Sequence, residues 1–275
     1  MIKKLFFIAA LLVPGLAYGG PSANLAVQIV PAGVTGSILP PLPAGKTQWV
    51  YVTGDEFNGS SIDLSFWDGT PANGYPNDGY ICQELSKGTE GSGVLTMIPG
   101  TTSECVVQPW TATGSVCSGP CAGLQLVSSF PPALPGGYKP GYYEARLPSN
   151  AGYSAFWLQG NNGSCSCPGL TCGAELDIME GGSTYQNNIF WGGYGACGQQ
   201  NPTTGLGPIG DTFHLLGLLW DPVGGYTHYL DGVATKHVAG PVDNGSGYHG
   251  VTLTTAGTNG GSPMVVDWVR YFQAR

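Results

Sequence analysis

From Trp49 to Arg275 the chain never holds the apolar period of a helix for more than a few residues, and this does most to restrict its fold. Short alternating runs recur instead: "GVLTMIP", "GLQLVSS", "GYYEARLP", "YSAFWLQG", "AELDIME", "NNIFWGGY", "HLLGLLWD", "YTHYLDG" and "MVVDWVRYF", each bounded by Gly, Pro, Asn or Asp. Alternation gives a strand one face for a core and one for solvent, and many short strands in one chain bury that face only as a sandwich or a barrel. No fixed-period repeat is present, which argues against a propeller or a solenoid. With 42% hydrophobic residues and 7 Trp, a unit of this length can bury one sizeable core.

The first residues, "MIKKLFFIAALLVPGLAYGG", pair two lysines with an apolar stretch from Leu5 to Leu12 and small residues from Ala17 to Gly20, the layout of a secretory signal peptide over residues 1–19. That stretch is too short for a membrane span, so an exported protein, extracellular or periplasmic, is expected, with no membrane partner. Residues 20–48 are small and Pro-rich without periodicity and read as a leader or linker; the folded domain is expected at 49–275. Eight cysteines suit an oxidising compartment and are expected to form disulfides, with near neighbours such as Cys117 and Cys121 closing local loops.

Acids outnumber bases 17 to 9, so the chain lacks the basic stripe that phosphate binding requires, and nucleic acid is excluded as a partner. A neutral polymer is not. "GYGACG" matches a dinucleotide-binding glycine pattern, but no helical pattern follows it. "CSCPGLTC" lacks paired zinc-ligand spacing, and His214, His228, His237 and His249 show no metal-ligand or serine-hydrolase arrangement.

Against this acid-poor background, "CGAELDIMEGG" crowds Glu175, Asp177 and Glu180 into six positions. On a strand Glu175 and Asp177 share a face, with Leu176 and Ile178 on the other. Glu180 has the wrong parity, and one extra residue at a β-bulge between Asp177 and Glu180 would return it to the face of the other two. The two glutamates would then stand about 13 Å apart at their α-carbons, close enough for their carboxyls to approach the ~5 to 5.5 Å separation of a retaining glycosidase. In that reading Glu175 is the nucleophile and Glu180 the acid/base. Asp177 orients Glu175, and the mutual repulsion of the three helps one of them retain a proton. The plainer alternatives are a calcium site or an acidic solvated strand face, although calcium usually draws its carboxylates from loops.

"ELDIME" resembles the E-x-D-x-x-E hallmark of glycoside hydrolase family 16, carried on a bulged strand of a concanavalin-A-like β-jelly-roll. The similarity extends over residues 49–275: "GDEFNGSSIDLSFWD" resembles the family's opening segment, "GYYEARLPSNAGYSAFWLQG" its middle segment, "DTFHLLGLLWDPVGGYTHYLDG" its F-H...W...Y-x-D-G, and "VVDWVRYF" its closing strand. The chain departs from common members at Tyr153, where many have Trp, and at Phe190, where many glucanases have His.

The resemblance implies an all-β jelly-roll sandwich of two antiparallel sheets and a retaining endo-β-glycosidase, with Glu175, Asp177 and Glu180 in the roles above. The implied substrate is β-1,3- or mixed β-1,3/1,4-glucan. A galactan hydrolase or transglycosylase of the same fold and a non-catalytic lectin-like module stay open, as does a disulfide-stapled cell-wall protein. Trp157 is expected beside the catalytic strand as a sugar platform or as core, and Arg146 as a ligand to sugar or carboxylate or as a plain ion pair. Asn188, Trp191 and Tyr194 are expected as further sugar contacts. The expected protein is a monomer that needs no organic cofactor, with at most one structural calcium held partly by Asp267.

Overall fold

The computed structural model describes residues 27–29, 31, 34–68, 87–99, 123–128, 140–148, 153–159, 175–180, 186–190, 199–200, 212–239, 250–256 and 262–275. The signal segment, all eight cysteines, Trp191, Tyr194 and His249 lie outside them.

The described residues form strands in two seven-stranded sheets and one small sheet. The first large sheet takes strands from both ends of the chain and from its middle: β1 (Val27–Ile29), β2 (Gln48–Asp55), β17 (Trp268–Ala274), β7 (Gly141–Leu147), β12 (His214–Asp221), β13 (Gly225–Leu230) and β14 (Val233–Ala239), in that spatial order. The second runs β11 (Gln199–Gln200), β10 (Gln186–Phe190), β9 (Glu175–Glu180), β8 (Tyr153–Gln159), β15 (Gly250–Ala256), β6 (Gly123–Ser128) and β3 (Trp67–Asp68). The small sheet joins β16 (Met264–Val266), β5 (Val94–Met97) and β4 (Gly88–Gly91). Pairing is antiparallel except between β1 and β2. This is the expected two-layer antiparallel sandwich.

Alternation decides what enters the core between the large sheets. From the first come Tyr143, Ala145 and Leu147 of β7, Leu216, Leu218 and Trp220 of β12, and Val269 and Tyr271 of β17. From the second come Phe156 and Leu158 of β8, Leu176, Ile178 and Met179 of β9, and Val251 and Leu253 of β15. Burying a side chain of this size removes it from water at a gain of about 1.5 to 3 kcal/mol, so these positions hold the layers together.

The first sheet buries its other face as well. Trp49, Tyr142, Leu219, Tyr229 and Phe272 form a second cluster there, covered by Leu39 and Leu42. Residues 34–47, expected as leader, therefore belong to the folded unit: the Trp49 indole donates to the carbonyl of Pro40 at 2.9 Å. The segment covers the sheet without joining it, because Pro40, Pro41 and Pro43 have no N–H to give a ladder. Gly217 is required beneath this cover, since a Cβ there would run into the ring of Tyr142.

Two hairpins order the edge of that sheet. Between β13 and β14, Asp231 and Gly232 take φ of 50° and 78°, the left-handed pair that a tight two-residue hairpin needs. Between β12 and β13, the Asp221 carboxylate accepts from the Val223 amide at 3.0 Å. The last residue is fastened to the first long strand: Arg275 gives its N–H to the Gln48 carbonyl and accepts from the Gln48 amide.

Candidate active site

β9 lies inside the second sheet, between β8 and β10, and its register shows how "ELDIME" is displayed. Against β8, Leu158 pairs with Leu176 and Trp157 with Asp177, yet the next residue, Phe156, pairs with Met179 and Ala155 with Glu180. Against β10, Asn188 pairs with Asp177 while Gln186 pairs with Glu180. Both neighbours skip one residue of β9 between Asp177 and Glu180, so the strand carries a bulge where the parity argument requires one.

The bulge sends two successive side chains inward: Leu176, Ile178 and Met179 are all fully buried in the inter-sheet core. Asp177 and Glu180 consequently stand on the opposite, outer face of the sheet. Glu175, two residues before Asp177 on the regular part of the strand, holds the same backbone parity and pairs with Gln159 and Phe190. Asp177 is almost closed off from solvent while Glu180 is half-buried, so the two acids meet different environments on one strand.

Trp157 directly faces Asp177 in register, on the outer face, since its neighbours Phe156 and Leu158 point into the core. Its indole N–H donates to Thr254 Oγ1 of β15 at 3.0 Å, which ties the ring to the strand on the other side of β8 from β9. Thr254 itself is buried. Asn188 is brought to the same place by its backbone, as the register partner of Asp177 on the other side.

Arg146 is not brought to this strand. Tyr143, Ala145 and Leu147 of β7 point inward, so alternation turns Arg146 to the outer face of the other large sheet, where its guanidinium pairs with the Asp267 carboxylate and lies 4.7 Å over the Phe213 ring. Its plain reading as an ion pair is the one the geometry supports. Asp267 already faces this cation, and among the described residues no three His, Cys, Asp or Glu side chains assemble a metal site. The Asp267 carboxylate is thus engaged by Arg146.

One residue of the site escapes motif reading. His228 of β13 is fully buried between the sheets, and its Nε2 lies 3.1 Å from the backbone carbonyl of Asp177, at the bulge. A carbonyl only accepts, so Nε2 carries the hydrogen. Burial chiefly, with a smaller push from Lys236, lowers the imidazole to about 3 against the opposing effect of the Asp177 carbonyl, and the ring stays neutral. A signal for it does exist in "YTHYLDG", where Tyr226, His228 and Leu230 share a face and the outer two are apolar. A polar residue between them must find a buried partner.

No sequence-family profile matches the chain, and no curated protein matches it in sequence. Solved structures do match its fold. Porphyranase B from Zobellia galactanivorans superposes with a TM-score of 0.62 at 20% identity, over 84% of this chain and 97% of that one. The endo-β-1,3-glucanase from Pyrococcus furiosus gives 0.59 at 22% identity, over 84% and 97%. The κ-carrageenase of Zobellia galactanivorans gives 0.61 at 16% identity, over 85% and 98%. The chain thus has the jelly-roll sandwich of polysaccharide-cleaving enzymes, the fold expected from its resemblance to glycoside hydrolase family 16.

Proposed function

We propose that the chain is a retaining endo-β-glycosidase of glycoside hydrolase family 16, exported from the cell, active without an organic cofactor, and acting on β-1,3- or mixed β-1,3/1,4-glucan. The observation that carries this reading is the bulge at Ile178. A strand that only had to bury its apolar residues would keep a regular ladder, whereas one extra residue gives Glu180 the face of Asp177 and the parity of Glu175. The resemblance of "ELDIME" and its flanking segments to family 16 supports it, as does a fold shared with glucanases and galactan-cleaving enzymes.

In the first step the Glu175 carboxylate attacks the anomeric carbon as the glycosidic C–O bond breaks, and Glu180 gives its proton to the departing oxygen. In the second, Glu180 takes a proton from water, the water oxygen bonds to the anomeric carbon, and Glu175 leaves as carboxylate. Asp177, between them and nearly closed off from water, holds negative charge or a shared proton beside Glu175, and Trp157 offers a sugar ring an apolar face.

The test is product release from laminarin, lichenan, xyloglucan, agarose and carrageenan, with Glu175→Gln run beside the wild type. Products from a β-glucan that fall by more than about a thousandfold in the variant, with melting unchanged, are expected. Binding without cleavage of any polymer would replace the reading with a lectin-like module, and products from a galactan alone would move the substrate class.

A further inference from the structure

The extra residue that turns Glu180 outward also leaves a gap in the ladder, because a bulge interrupts pairing on its own strand. Where the extra residue sits decides which side chains face the core. A shift by one residue would reverse the facing of whichever acid it passed. Alternation limits where it can sit, because moving the extra residue by one would turn Ile178 or Met179, both fully buried, out of the core.

A fixed point for the backbone itself comes from the opposite sheet. His228 reaches across the core to the carbonyl of Asp177, the residue immediately before the extra one. Its backbone is held on both sides, by Leu218 of β12 and by Lys236 of β14, and its carbonyl accepts from Thr235 Oγ1 at 3.2 Å. The other ring nitrogen, Nδ1, is buried with no partner among the described residues. A histidine kept in an apolar layer for packing alone would leave both nitrogens costly to bury, and a Phe would serve better.

We propose that His228 is a positioning residue that pins the bulge of β9 through its Nε2–H bond to the Asp177 carbonyl, and so sets the facing of Glu180 relative to Glu175 and Asp177. The role rests on the glycosidase reading above. It touches neither substrate nor reacting atoms, and its contribution is one donor delivered at a fixed height across the core. Burial disfavours the charged ring, with the Asp177 carbonyl opposing that effect and Lys236 adding to it, and a neutral ring facing that carbonyl carries its hydrogen on Nε2.

Two measurements test this. In protein labelled with 15N-histidine, the His228 ring should show hydrogen on Nε2, none on Nδ1, and no titration between about pH 5 and 8. Hydrogen on Nδ1, or titration near the ordinary histidine value, overturns the pin whether or not any polymer is cleaved. On the polymer that the wild type cleaves, His228→Phe should lose about 10- to 100-fold in kcat with KM changed less than about threefold, the pattern of misplaced catalytic groups.

His228→Gln, whose amide nitrogen reaches the same carbonyl, should recover most of that loss. If the Phe variant does not fold, His228→Met supplies the length without the donor. Unchanged kcat in the variant lacking the donor, or failure of Gln to outperform it, overturns the positioning role. Failure of the wild type to cleave anything overturns the glycosidase reading instead, and the ring signature then decides the pin alone.

Discussion

Strands β7 and β9 both carry charged residues two positions apart in an apolar run, and they put them to opposite uses. On β7, Glu144 and Arg146 keep strict alternation and turn to the covered face of the first sheet. There Arg146 pairs with Asp267. Glu144 is fully buried beside Ser37, Arg270 and Glu56, where Arg270 in turn binds Glu56 through two bonds of 2.7 and 2.6 Å and the carbonyl of Thr35 at 2.7 Å. On β9 alternation is broken once, by one residue, and Glu180 joins Asp177 on the outer face of the second sheet. Charge in an apolar strand is thus no mark of a catalytic site by itself. The irregularity that redirects it is the stronger sign.

The largest effect should come from the β9 side. Glu180→Gln is expected to cut kcat on the cleaved polymer by about 10²- to 10⁴-fold, the range for loss of a general acid and base, while the melting temperature holds. If turnover survived, β9 would be an acidic face no more functional than β7, and the contrast would collapse.

Glu144 sharpens the contrast through pH. Burial pushes its carboxyl up to about 7, with Glu56 adding to the push and Ser37 and Arg270 opposing it. A raised carboxyl binds more protons folded than unfolded, so its contribution is complete below the ordinary carboxylate value and is lost as pH rises through about 7. His228 acts in the reverse sense: its lowered imidazole contributes fully above the ordinary histidine value, and that contribution is lost as pH falls toward about 3. Urea unfolding from pH 5 to 8 should therefore show Glu144→Gln gaining stability over the wild type as pH rises, by up to about tenfold in the folding equilibrium per pH unit. Parallel curves for the two proteins would show that Glu144 is already ionised within its network.

The smallest effect is expected at Arg146. Its side chain is 41% exposed, so the pair with Asp267 contributes about 0 to 1 kcal/mol. Arg146→Ala should lower the melting temperature by no more than about 2–4 °C and leave turnover within about twofold. A large loss of turnover would mean that β7 reaches the site by a route the alternation does not describe.

Much of the architecture was legible from the chain because alternation is a local signal. β7, β8, β9, β12, β13 and β17 each fall on a run read as a strand, and the parity of Glu180 located the bulge before any coordinates. The facing of Arg146 needed a long-range fact, the layer to which β7 belongs. Residues 34–47 read as a leader because their composition shows no period, but cover for a sheet needs only a few apolar contacts and carbonyls at the right height. His228 was missed because its partner is a backbone carbonyl 51 residues away, which no spacing of side-chain types encodes.

The position of the closing strand has a consequence for how the molecule comes into being. β17 contains nearly the last residues of the sequence, yet it lies between β2 and β7, with long ladders to both. During translation β2 and β7 emerge long before the strand that separates them, each keeping one bare edge. A sheet with this order cannot assemble from the ribosome outward. It closes only once β17 joins, in a step dominated by contacts between distant parts of the chain, and such steps are slow. Until then the nascent protein stays open along two hydrogen-bonding edges, the state in which strands recruit foreign partners and chaperones matter most.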